Sequence, residues 1–212
     1  MRLPTVTAIA AMLTLTSPGL ARAAADTPQA AVPARIVATQ VALRDLWLGH
    51  IFWVRNVVEA RLANNAAAAK TAEEQVVDNA RAIAGAIEPY YGKPASEKLF
   101  GLLAGHWGAI RAYLDATQAG DKSAQDAAFD KLVGNAGEIS TFLGGANPHL
   151  PVDTLRGLLS AHGAHHVDQI KQLKTGEYDQ EARTWAAMKD HIYVIADALA
   201  NGIAKQFPDK FR

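Results

Sequence analysis

Three octapeptides constrain this chain more than any other feature: LRDLWLGH ending at His50, LFGLLAGH ending at His106 and LRGLLSAH ending at His162. Their histidines are 56 residues apart in both intervals. A phrase returning at a fixed period marks internal repetition, and a fold for such a chain has to place equivalent segments in equivalent surroundings.

The segments are helical. Ala, Leu, Glu, Lys and Gln dominate, apolar residues recur at intervals of three and four, and no sustained period-two alternation is bounded by turns. Breaks are expected at 62–65 (LANN), 88–94 (EPYYGKP), 120–121, 144–151 (GGANPHLP) and 176–177, where Gly, Pro and Asn end one helix and start the next. They delimit about six helices, near 35–63, 71–88, 95–118, 122–143, 152–174 and 179–206.

The period extends beyond the histidine phrase. Gly120-Asp121 and Gly176-Glu177 are 56 residues apart, as are NARAI from Asn79 and NAGEI from Asn135, and one further step reaches His191 in HIYVI. The fold class expected is therefore all-α, a bundle of about six helices made of 56-residue helical hairpins. Pairing Asn79 with His106 and Asn135 with His162 leaves a third hairpin split between the ends, with the helix of His50 against that of His191. This closes the bundle through its first and last helices; an open solenoid of stacked hairpins is the alternative.

The first 25 residues read as a secretory signal peptide. An early Arg2 precedes an apolar run from about Val6 to Leu15, and A-x-A sites follow at 21–23 and 23–25. The run is shorter than the ~20 residues that span a bilayer, and no later segment is long and apolar enough. The expectation is a periplasmic or secreted protein with one helical domain over residues 26–212. Losing Arg2 and Arg22 with the signal leaves 19 basic against 21 acidic residues, so no basic excess points to nucleic acid. The chain has no cysteine, which rules out disulfides, thiolate ligands, C-x-x-C-H haem attachment and a lipid-modified cysteine anchor. Any metal must be held by His, Asp, Glu or Met.

Leu43, Leu46 and His50 stand at i, i+3 and i+7, as do Leu99, Leu102, His106 and Leu155, Leu158, His162, so each imidazole lies on an apolar stripe. A buried imidazole without a partner costs on the order of 1–3 kcal/mol, so each needs one. One reading supplies it from Asn79, Asn135 and His191 as a non-catalytic polar layer that fixes register between helices. A second is a metal site, because His162 and His166 stand at i and i+4 and reach one ion together, with His165 beside them. A third is a small ligand or haem among the tryptophans at 47, 53, 107 and 185. Read as a metal site, the ligands are His162 and His166 with contributions from His106, His50 or His191. A cysteine-free, nitrogen-rich set suits zinc or copper over calcium or magnesium.

No nucleophile with its base is visible, so an enzyme ranks below a ligand-binding or structural protein. The chain lacks the E-x-x-H pairs of ferritin-like di-iron centres, and it lacks G-x-x-x-x-G-K-[ST], G-x-G-x-x-G and G-x-S-x-G. The sequence names no protein partner.

The phrases LRDLWLGHIFWVRN, EPYYGKPASEKL, LLAGHW, NAGEISTFLGGANPHLP, LRGLLSAH and ANGIAKQFPDKF, spread over about residues 43–211, resemble a family of small secreted or envelope-associated bacterial helical proteins of uncharacterised function. The resemblance implies export and a helical fold. Members commonly carry an acidic residue before the repeated histidine, where this chain has Gly49, Gly105 and Ala161. Export is checked by the intact mass of protein from the cell envelope: a start near Ala24 or Asp26 is expected, and a full-length cytoplasmic chain contradicts it.

Overall fold

The computed structural model describes residues 33–212, and the expected signal peptide over 1–25 lies outside them. Six helices follow one another: α1 (Ala34–Leu62), α2 (Ala66–Tyr91), α3 (Lys93–Ala119), α4 (Lys122–Ala146), α5 (Val152–Thr175) and α6 (Tyr178–Gln206), with a 3-10 turn at Pro208–Phe211. None is long and apolar enough to cross a membrane.

The ends of the helices follow from local chemistry. The Asn65 side chain accepts from the Ala68 amide at 3.1 Å and caps α2, and Asp121 does the same for α4 through Ala124 at 2.9 Å. Gly120 and Gly176 close α3 and α5 at φ 71° and 76°, a left-handed conformation in which a Cβ is unfavourable. After each, the next amide reaches back over the helix end, Asp121 to the Ala116 carbonyl and Glu177 to that of Gln172.

Two boundaries differ from the sequence reading. The break expected across 88–94 narrows to Gly92: α2 runs through Pro89 to Tyr91 and stops at that glycine, whose φ is 82°. Pro89 lies two residues before the end of α2, so the amide it lacks takes from the helix only the bond to the Gly85 carbonyl. Helix α2 also begins at Ala66 rather than near 71, since four consecutive alanines behind a capping Asn are strong helix formers.

Each helix packs on the next, and α6 packs back on α1, so the chain closes into a ring and the solenoid is set aside. Helix α5 also touches α1 and α3, bringing the odd-numbered helices together in the middle. The closing seam is polar at its margins. Arg44 bonds Asp197, Gln40 bonds Asn201, and Arg55 makes two bonds to Glu181 at 2.7 and 3.0 Å. Glu181 is only 3% exposed and also accepts from Gln169 at 2.8 Å, tying α1, α5 and α6 at one point.

The hydrogen bonds that join neighbouring helices alter the pairing read from the sequence. Asn79 donates to the Leu46 carbonyl at 2.9 Å, Asn135 donates to that of Leu102 at 3.0 Å, and His191 Nε2 lies 2.8 Å from that of Leu158. Each of these contacts spans 33 residues, so Asn79 faces the helix of His50, Asn135 that of His106 and His191 that of His162. The hairpins so tied are α1–α2, α3–α4 and α5–α6, and none is split between the ends. Small residues before the histidines make this possible. A Cβ on Gly49 would sit 2.9 Å from Asn79 Nδ2, and one on Gly105 3.2 Å from Asn135 Nδ2.

Buried and exposed ion pairs of this seam differ in weight. Arg55→Ala strands the Glu181 carboxylate with Gln169 alone and is expected to cost about 2–3 kcal/mol. Arg44→Ala removes a solvent-facing pair and is expected to cost under about 1 kcal/mol. Urea unfolding of both variants checks this, and equal losses contradict it.

Candidate metal centre

Helices α1, α3 and α5 each carry their repeated histidine to the same level of the bundle. Along α1 the buried positions run Leu43, Trp47, His50, Ile51, Val54; along α3, Leu99, Leu102, Leu103, His106, Trp107, Ile110; along α5, Leu155, Leu159, His162, His166, Val167, Ile170. One apolar cluster, including Leu43, Leu99, Leu155 and Met188, fills one half of the bundle. A second, including Val54, Ile110, Leu132 and Ile170, fills the other. The imidazoles lie where these two clusters meet.

Four histidines converge there. His50, His106, His162 and His166 each offer a ring nitrogen within 4.8 Å of the other three, and their exposures are 5, 4, 1 and 1%. His162 Nε2 is 3.4 Å from His50 Nε2 and 3.1 Å from His166 Nε2. The six distances between ring centroids run from 4.5 Å for His162–His166 to 6.2 Å for His106–His166. Taken with the other four, these separations fit a tetrahedron-like set of rings and not a planar one.

Hydrogen bonding alone leaves this group short of partners. A ring nitrogen offers one proton or one lone pair in its plane, so His162 Nε2 satisfies only one of its two close neighbours at a time. Both nitrogens of His106 and the Nδ1 atoms of His162 and His166 have no partner among the described residues. The same holds for Oδ1 of Asn79 and of Asn135, whose amide nitrogens are taken by backbone carbonyls.

The surroundings keep the imidazoles neutral. Burial pushes His50 down to about 3, with repulsion from His106 adding to it. Burial takes His106 down to about 4 against an opposing contribution from Asn135. His162 and His166 are lowered well below the usual value, first by burial and then by the neighbouring histidines. A neutral imidazole has a free lone pair, the form in which it binds a metal.

Trp47 packs edge-on against His50 and His162, with centroids 6.1 and 6.3 Å away, and its buried indole nitrogen has no partner among the described residues. Behind it is a cavity of about 30 Å³ lined by Leu43, Ile83, Leu99, Leu103, Ile139 and other apolar side chains. That volume holds about one or two water molecules and no planar ligand. The tryptophans do not surround a cofactor pocket: Trp107 is buried in the other apolar cluster, and Trp185 packs under Arg55.

Of the five histidines singled out in the sequence, the structure brings four together and leaves His191 aside. His191 is half-buried, bonds the Leu158 carbonyl and packs against His165 with centroids 5.6 Å apart. A sequence signal for this separation exists, since His191 occupies the Asn79 and Asn135 position of the period and not the position of His50, His106 and His162. No protein-family model matches the chain, and no similar protein was found among the curated proteins or the solved structures.

The depressed histidines make the metal-free fold sensitive to acid. In the unfolded chain they titrate near 6.5 and in the folded chain far lower, so the fold has its full stability above about pH 6.5. As pH falls below that, the unfolded chain takes up protons that the folded one does not, and each histidine removes up to about 1.4 kcal/mol per pH unit. Circular dichroism of chelator-treated protein is expected to show unfolding on acidification, and equal urea stability at pH 7 and pH 4 contradicts this.

Proposed function

We propose that the protein is an exported helical bundle that holds one transition-metal ion, zinc or copper, through His50, His106, His162 and His166. The observation that carries this reading is the convergence of four neutral, buried imidazoles on one point from three helices. Tetrahedral zinc binds imidazole at about 2.0–2.1 Å, which separates neighbouring ligand nitrogens by about 3.3 Å. The separations of 3.1 and 3.4 Å about His162 bracket that value. An ion also accepts several lone pairs at once, which the single proton of a neighbouring imidazole does not.

The chemistry is that of holding an ion rather than of turning over a substrate. Four protein ligands close a tetrahedral shell and leave no position for the activated water of a hydrolytic zinc site. Export rests on the A-x-A sites and the short apolar run at the start of the chain. A second reading, a polar layer without an ion, is favoured by the two contacts between imidazole nitrogens that also fit hydrogen bonds.

Calorimetric titration with zinc, together with elemental analysis of untagged protein, separates the two. One ion per chain is expected, and an ion concentration 100-fold above Kd adds about 2.7 kcal/mol, raising Tm by about 5–10 °C. His162→Ala is expected to weaken binding by at least about 100-fold, and replacing the exposed His149 by Ala to leave it unchanged. If neither zinc nor copper binds, or if His162→Ala binds like the parent, the histidines are hydrogen-bonded core residues.

A further inference from the structure

The donor set carries no charge, and among the described residues no carboxylate joins it. All four ligands are imidazoles. Burial and the neighbouring histidines lower their basicity, and Asn135 opposes this at His106. The buried carboxylate of α6, Glu181, is already committed to Arg55 and Gln169. The Nδ1 atoms of His162 and His166 reach no carboxylate or carbonyl, the contact through which metal-binding histidines usually gain basicity. Apolar clusters lie on both sides, and the edge of Trp47 closes one of them.

A dication placed here would keep its whole charge in a medium without counter-charge. The cost of taking an ion out of water rises with the square of its charge, so it is about four times larger for a dication than for a monocation of the same size. Geometry narrows the choice further. A tetrahedron-like set of rings suits a d¹⁰ ion, whereas divalent copper and nickel favour square-planar or tetragonal arrangements. Among first-row ions that bind imidazole, one is both d¹⁰ and monovalent.

We propose that the site is selective for cuprous copper, Cu(I), over zinc and over cupric copper. This rests on the metal-binding reading of the four histidines and adds to it the charge and oxidation state of the ion. No electron transfer is assigned to the protein: Cu(I) arrives reduced and is held reduced, because the bundle offers neither the planar geometry nor the negative charge that stabilises Cu(II). The absence of a carboxylate, which weakens the site for zinc, is then the source of its selectivity.

The test uses the full-length mature protein in two titrations. Cu(I), kept reduced with ascorbate under argon, is partitioned between the protein and a chromophoric Cu(I) chelator, and Zn(II) is titrated against a zinc indicator at the same pH. The expected result is one Cu(I) per chain with a Kd at least about 100-fold below that for zinc. On admission of air, the bound copper is expected to stay silent in electron paramagnetic resonance for longer than copper in buffer. Zinc binding equal to or tighter than Cu(I) overturns the selectivity while leaving the metal site standing. So does rapid conversion of the bound copper to a tetragonal Cu(II) signal. Failure of both ions to bind overturns the metal site and the selectivity together.

Discussion

Four imidazoles at the middle of an apolar bundle set the terms for the rest of this structure. An unpartnered buried polar group costs on the order of 1–3 kcal/mol, and this layer presents several of them at once. The fold withholds the usual remedies. The backbone around the histidines is already bonded within its own helices, the amide nitrogens of Asn79 and Asn135 are spent on the Leu46 and Leu102 carbonyls, and the buried carboxylate of Glu181 is held by Arg55. The rings are left facing one another, and a shared ion is the one partner that takes several lone pairs together.

The bundle is organised to hold that layer in place. Small residues at Gly49 and Gly105 let Asn79 and Asn135 close on the carbonyl four residues before each histidine, fixing the height and rotation of α1 and α3 relative to α2 and α4. His191 makes the corresponding contact from α6 to α5. A side chain at position 49 would need the space that Asn79 occupies, which gives a physical reason for the glycine there. The apolar clusters above and below resist the sliding that would pull the ligands apart, since shifting a helix by one turn would put His50 or His106 against leucine and valine.

Much of this was legible in the sequence. The helices, the cap at Asp121 and the left-handed ends at Gly120 and Gly176 follow from local residue chemistry, while the closed ring was expected from a pairing of hairpins that the structure replaces, with α6 packing on α1 all the same. Convergence was not legible, because a stripe shows that His50, His106 and His162 each face inward without showing that their helices are neighbours across the axis. The same limit produced the pairing of Asn79 with His106: a period gives equivalence between helices, while contact depends on which neighbour lies at the same height. His191 followed from that ambiguity, standing on the right period but on a helix of the other kind. Pro89 misled for a different reason, since α2 gives up only the bond its amide would make to Gly85 and runs two residues further before Gly92 ends it.

The central claim is that four imidazoles and nothing else surround one ion. X-ray absorption at the metal edge of the loaded protein tests it most directly, because it counts ligand atoms and identifies imidazole by its outer-shell scattering. The account predicts a single shell of four nitrogen scatterers at about 2.0–2.1 Å, all belonging to imidazole, with no oxygen component. A shell with fewer than four imidazoles, or one completed by water or carboxylate oxygen, would contradict it.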